Sequence, residues 1–262
     1  METKIVEEIA KAIKTEIKIS ANYDHIELTE EELAKAIHDA KRAKEARLKT
    51  EEYSKRLLQK PVYPKWNFDE LKKMVLMNNP DFIIDEHNEE IFDTLCLYFS
   101  GDQSFEMQDD FSLNKGLLLF GPIGCGKTSL MRMFQVNTFR PFTVTNCRNI
   151  ADSYSKNGSD ALFEYSQLQQ VYPEKNFGIS HAGRCFDDLG TEESKRNFGN
   201  QVNVMQDIIY KIYDGRKIGD FHITTNLNSK EIDDDYGYRI RSRMREMFNI
   251  IKFGKDAPDR RK

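Results

Sequence analysis

The residues whose types and spacing carry chemistry begin at Gly121. The run Gly121, Pro122, Ile123, Gly124, Cys125, Gly126, Lys127, Thr128 fits G-x-x-x-x-G-K-[ST] at every fixed position, with Ser129 following. Glycines let such a loop turn its backbone N–H groups inward, where they cradle phosphate oxygens. A lysine at the seventh position supplies a point charge for the β- and γ-phosphates, and a hydroxyl at the eighth suits Mg²⁺. The setting agrees: Leu117–Phe120 before the run is apolar and strand-like, and Ser129–Phe134 after it reads as a helix, whose N-terminus favours an anion. These flanks weigh against the plainer reading, an ordinary glycine turn. The chemistry this pattern predicts is binding of ATP with Mg²⁺.

Three further groups belong with this loop. Arg184–Gly190 is a short apolar strand ending in paired carboxylates, Asp187 and Asp188. Downstream of a phosphate loop, such a pair suits a metal-coordinating Asp followed by an acid that activates water; the plainer reading is an acid-rich turn after a core strand. Asn226 ends Phe221–Thr225, where an amide can hold an attacking water; an Asx turn is the alternative, although Asn228 is the better cap. Residues 239–262 hold nine Lys/Arg against three acids, with arginines at 239, 241, 243 and 245. That stretch reads as a solvated or nucleic-acid-facing surface, or as the source of an arginine supplied in trans to a neighbouring γ-phosphate.

The elements that must position these residues follow from pattern. Apolar runs at Gly116–Phe120, Phe142–Thr145, Arg184–Asp187, Phe221–Thr225 and Asn249–Phe253 alternate with helical patterns at 128–137, about 160–171, 201–213 and about 238–247. Strands alternating with helices predict an α/β fold, a parallel sheet flanked by helices. Upstream, helices are expected near Asn67–Met77 and Asn88–Phe99, the second closed by Gly101, with loop over 101–113. Residues 1–60 carry 13 Lys/Arg and 13 Asp/Glu. Within them Ile5, Ile9, Ile13 and Ile17 make one helical stripe, and Thr29 with Glu32 reads as a capping box opening a helix whose apolar side is Leu33, Ala36, Ile37 and Ala40. This arm is either a solvated extension or a partner-binding segment. The expected organisation is an arm over 1–60, a helical linker region over 61–100 and an ATP-binding domain over 101–262.

Composition bounds the rest. A net charge of −4 makes no uniform cationic field, so nucleic-acid contact would need a local patch. No run approaches the 18 apolar residues of a membrane span, and the glutamate-bearing N-terminus is unlike a leader. Four cysteines without metal spacing suggest a reduced, cytoplasmic chain.

Residues from about 113 to 253 resemble the AAA+ ATPase superfamily, and within it the DnaC-type helicase loaders and IstB-like transposition ATPases. The motifs that carry this are GPIGCGKT, CFDDLG, HITTNL and YGYRIRSRM, with little chain left after the last strand for a helical lid. The resemblance implies an AAA+ P-loop core with a helical N-terminal extension and no full C-terminal lid. It implies Gly126, Lys127 and Thr128 as the Walker A residues, and Asp187 (with Thr128, on Mg²⁺) and Asp188 as Walker B. Asn226 becomes sensor 1. Arg243 becomes an arginine finger acting across a self-associated interface, with Arg239 as its companion. Asp188, one methylene shorter than the usual glutamate, implies slow or partner-stimulated hydrolysis. The implied function is loading a replicative helicase onto single-stranded DNA, with Tyr154, Lys156, Lys195, Arg196 and Phe198 as candidate strand contacts. The alternatives are an IstB-like regulator of transposition and a nucleotide-switched binding module.

Overall fold

The structure is a computed structural model of the 262-residue chain, and it describes residues 26–58, 65–107, 110–192, 195–197, 200–216 and 218–261. The chain divides into two compact units, Met1–Lys60 and Pro61–Lys262.

In the first unit, α1 (Glu30–Leu58) is a single helix of 29 residues. The expected capping box starts it: the Thr29 amide donates to Glu32 Oε2 at 2.9 Å, and the Glu32 amide to Thr29 Oγ1 at 3.3 Å. Every described side chain of α1 is exposed, Leu33, Ile37, Leu48 and Tyr53 included. The Ile5–Ile17 stripe lies outside the described residues.

The second unit is built on α2 (Phe68–Asn78), α3 (Glu89–Ser100), β1 (Gly116–Phe120), α4 (Lys127–Phe134), β2 (Phe142–Asn146), α5 (Cys147–Asn157), α6 (Ser159–Tyr165), β3 (Gln169–Gln170), β4 (His181–Leu189), β5 (Lys195–Asn197), β6 (Asn200–Val202), α7 (Val204–Gly215), β7 (Phe221–Thr225), α8 (Ser229–Tyr236), α9 (Tyr238–Met247) and β8 (Phe248–Lys252). Five strands lie parallel in the order β2-β4-β7-β1-β8, β3 pairs antiparallel with β4, and β5-β6 is a separate hairpin. Numbering the five parallel strands along the chain gives 5-1-4-3-2, a parallel α/β sheet flanked by helices, as the sequence predicts.

Alternation along the strands divides the interior in two. Leu118, Phe186 and Ile223 face a core shared with α5 to α9, while Leu117, Leu119, Cys185 and Ile251 face one shared with α2, α3 and α4. The second core buries Phe92, Leu95, Tyr98 and Phe99 of α3 completely, so the helices within 61–100 pack on the sheet that carries the phosphate loop. Burying each such side chain contributes roughly 1.5–3 kcal/mol.

Four features differ from the expectations. Cys147–Asn157 is a helix opened by Asn146, whose side chain accepts from the Arg148 amide. The helix expected over about 160–171 ends at Tyr165, because Gln169–Gln170 joins the sheet beside β4. Lys195–Asn197 pairs antiparallel with Asn200–Val202, and a 3₁₀ turn occupies Gln103–Met107. The four cysteines are free and buried. No helix among the described residues is long and apolar enough to cross a membrane.

Candidate active site

In a parallel sheet the C-terminal strand ends and the helix N-termini meet at one edge, where ligands of α/β folds bind. Here β1 delivers the glycine-rich loop, β4 delivers Asp187 and Asp188, and β7 delivers Asn226 to that edge. Gly124 and Gly126 hold φ of +81° and +104°, a backbone region that only glycine enters freely. A Cβ on Gly124 would also stand 1.8 Å from Asp259 Oδ1. Gly126 then caps α4, so Lys127 and Thr128 are its first residues.

Lys127 is 5% exposed, and its ammonium is fully engaged. It donates to Gly121 O at 2.9 Å, Pro122 O at 2.8 Å and Asn226 Oδ1 at 2.5 Å, with Cys125 Sγ at 3.8 Å. Burial lowers its pKa, against the opposing pull of Cys125, Asp188 and Asp187. Asn226 thus holds the lysine side chain, a job beyond the water-positioning one read from its place at a strand tip.

Asp187 Oδ1 accepts two hydroxyls, Thr128 Oγ1 at 2.8 Å and Thr224 Oγ1 at 2.7 Å. The register between β4 and β7 shifts between Phe186 and Leu189, and Asp188 takes φ +57° there. Such a bulge re-aims a side chain. It turns Asp188 toward the cavity while the Asp188 amide donates to Thr224 Oγ1 at 2.9 Å. Burial, and then Asp187, raise the Asp188 carboxyl above the ordinary aspartate value; Lys127, Arg261 and Arg148 pull it the other way.

A cavity of about 590 Å³ opens beside the loop, large enough for a nucleotide. Of the residues expected to bind ligand, Gly124, Cys125, Gly126, Lys127, Thr128 and Ser129 line it, as does Asp188. Gly121 and Pro122 serve instead through the carbonyls that hold Lys127, and Ile123 is exposed outside the cavity. Phe82 and Ile83, before α3, and Arg260 and Arg261, after β8, also line it; the motif reading contained none of these four. A hydroxyl and a carboxylate held together beside the loop are hard oxygen donors, and Thr128 with Asp187 therefore fits Mg²⁺.

The arginines of α9 divide. Arg241 pairs with Asp233 at 2.7 Å, Arg239 and Arg245 are exposed, and Arg243 lies over the rings of Tyr210 and Tyr213, 4.4 and 4.6 Å from their centroids. Arg243 does not line the cavity of its own chain. Among the strand-contact candidates, Lys156 is exposed, but Tyr154 is a core residue and cannot stack on a base. The side chains of Lys195 and Arg196, and all of Phe198, lie outside the described residues.

No protein-family model matches this chain, and no curated protein does. Solved structures are similar at low identity. The DnaC helicase loader aligns with 67% of this chain and 95% of its own length, at 15% identity and a TM-score of 0.44. A DNA replication initiation factor aligns with 66% of this chain and 48% of its own, at 14% and 0.45. AMPPCP-bound DnaA from Aquifex aeolicus aligns with 72% of this chain and 52% of its own, at 16% identity and a TM-score of 0.45.

Proposed function

We propose that this protein binds and hydrolyses ATP with Mg²⁺, and that it does so as a DnaC-like loader of a replicative helicase onto single-stranded DNA. The observation that carries the ATP reading is the convergence of Lys127, Asn226, Thr128 and Asp187 on one glycine-rich loop.

The loop amides and the α4 N-terminus bind the phosphates. Lys127 exchanges its contacts to Gly121, Pro122 and Asn226 for oxygens of the β- and γ-phosphates. Thr128 and Asp187 would hold Mg²⁺, which draws negative charge from the phosphate oxygens. Asp188 accepts a proton from the water that attacks the γ-phosphorus, and the bond to the β,γ-bridging oxygen breaks to leave ADP and phosphate. Its raised pKa brings it closer to working pH, which favours a base. Asn226, released by Lys127, orients that water. Arg243 acts in trans, over the γ-phosphate of an adjacent copy.

The loader reading is supported by the motif resemblance and by an N-terminal helix whose apolar residues are exposed. Two measurements on the full-length chain test the reading. Lys127→Ala should weaken ATP binding by about 2–3 kcal/mol, and mixing it with Arg243→Ala should restore part of the ATPase activity that each variant lacks. Unchanged affinity in the first refutes the ATP site; no recovery in the second, with both variants associating, refutes action in trans. Capture of purified replicative helicase tests the loader reading, and capture of a transposase instead turns it to transposition.

A further inference from the structure

Arg243 is held unlike the other arginines of α9. That helix turns Ile240, Met244 and Met247 into the core it shares with α7, and Arg243 is half-buried beside them. Tyr210 and Tyr213 of α7 stand three residues apart, on one helix face, and both pack against the same core. Their rings meet the Arg243 guanidinium with centroids at 4.4 and 4.6 Å, well inside the roughly 6 Å over which a ring attracts a cation. Glu246 lies three residues beyond Arg243, the spacing at which an acid neutralises an arginine on a helix. The Tyr213 hydroxyl claims it instead, donating to Glu246 Oε2 at 2.7 Å. Among the described residues no carboxylate lies within 4.0 Å of the Arg243 guanidinium to make an ion pair, whereas Arg241, two positions away, is paired with Asp233.

A ring can meet a guanidinium without using its N–H donors, which point outward in its plane. Arg243 therefore keeps its full charge and an unshared fork, the form in which arginine grips a phosphoryl group. We propose that Tyr210 and Tyr213 are positioning residues for Arg243: the two rings aim its guanidinium, and the Tyr213 hydroxyl keeps Glu246 from neutralising it, so that it meets the γ-phosphate of an adjacent copy. This rests on the reading of Arg243 in trans given above. The tyrosines touch no phosphate and act only through the arginine.

The test is steady-state ATPase of the full-length chain, with kcat and KM resolved and a thermal melt for each variant. Tyr210→Leu should lower kcat about tenfold, the value of one ring contact to a partly desolvated cation, and leave KM within about twofold, as loss of an interaction made only in the transition state does. Tyr210→Phe keeps the ring and should match wild type. Tyr213→Phe frees Glu246 and should lower kcat, and adding Glu246→Gln should restore it. In an Arg243→Ala background Tyr210→Leu should change nothing further. Mixed with Lys127→Ala, Tyr210→Leu should regain activity, because the other chain supplies a well-aimed arginine; mixed with Arg243→Ala it should not. If Tyr210→Leu melts early, the Tyr213→Phe loss and its rescue by Glu246→Gln decide alone. If Arg243→Ala is slow while the tyrosine variants match or exceed wild type, or if Tyr210→Leu slows Arg243→Ala further, the positioning role is wrong and the arginine in trans stands. If Arg243→Ala hydrolyses ATP at the wild-type rate, or wild type hydrolyses none, both readings fall.

Discussion

The helix Glu30–Leu58 and the sheet unit handle their apolar residues in opposite ways. In the sheet unit Phe92, Leu117 and Phe186 are fully buried, and the buried Thr224 hydroxyl donates to Asp187. In α1 Leu33, Ile37, Leu48 and Tyr53 are all exposed, and the helix stands on local terms: a capping box, acidic residues in its first turn and pairs such as Glu45–Lys49 at 2.7 Å. Each such i,i+4 pair contributes only about 0.2–0.5 kcal/mol, but 29 residues exceed the roughly 12–15 below which an isolated helix is marginal. One region has spent its apolar surface on folding. The other keeps it available for something else.

Truncating one side chain in each region gives the largest contrast. Phe92→Ala, whose buried ring stacks on Phe82 and lies tilted against Phe134, each with centroids 5.4 Å away, should cost about 3–5 kcal/mol in urea unfolding. Leu33→Ala should fall within about 0.5 kcal/mol, as exposed substitutions do. Comparable losses at both positions would mean that Leu33 is buried in solution, and the contrast would fail.

The next effect lies where the core meets the site. Thr224→Val keeps shape on β7 but removes the hydroxyl that donates to Asp187 and accepts from the Asp188 amide. Leaving those groups short of a partner should cost about 1–3 kcal/mol, and it should weaken the dependence of nucleotide affinity on Mg²⁺. If stability drops with the Mg²⁺ dependence intact, Thr224 is only a packing residue. Thr224 also marks the limit of what was legible in the sequence. The phosphate loop is local, so its eight positions announce themselves, and the apolar runs around it placed all five parallel strands. A threonine in Phe221–Thr225 reads as an ordinary strand former, because its partners lie 37 positions away at Asp187 and 36 at Asp188. The pairing of Asp85 with Arg260 at 2.7 Å was illegible for the same reason, since the two are 175 positions apart. Tyr154 misled in the other direction: an aromatic beside lysines looked like a stacking platform, and the helix it belongs to turns it into the core.

A smaller effect tests how closed the core is to water. His222 is fully buried among Tyr98, Phe99 and Phe142, with Nδ1 accepting from the Leu117 amide at 3.1 Å. Burial, and then Arg140, lower its pKa from 6.5 to about 3. The folded form therefore stays neutral while the unfolded chain takes up a proton near pH 6.5. The stability from this group is complete above that pH, and it is lost at about 1.4 kcal/mol per pH unit on acidification toward pH 3. His222→Gln, which keeps an acceptor for Leu117, should flatten the stability profile between pH 6.5 and 4.5.

The smallest expected change in stability carries the most about the arm. Leu33→Ser with Ile37→Ser alters one face of α1 without removing a buried contact, so unfolding of the chain should shift by no more than about 0.5 kcal/mol. ATP affinity should match wild type, because the phosphate loop belongs to the other unit. Helicase capture is where the variant should fail. An amphipathic helix laid into a partner groove draws its energy from a few anchors at i and i+4, and two lost apolar anchors remove the main source of that energy. Charge reversal at Glu45 and Lys49 together separates this from a general electrostatic attraction, since that exposed pair contributes little to such a groove. If the serine variant captures helicase as wild type does, the exposed face of α1 is a solvated surface, and the loader reading loses its structural support. If the serine variant also unfolds earlier by several kcal/mol, the two residues are buried in solution and the contrast between the two regions is itself wrong.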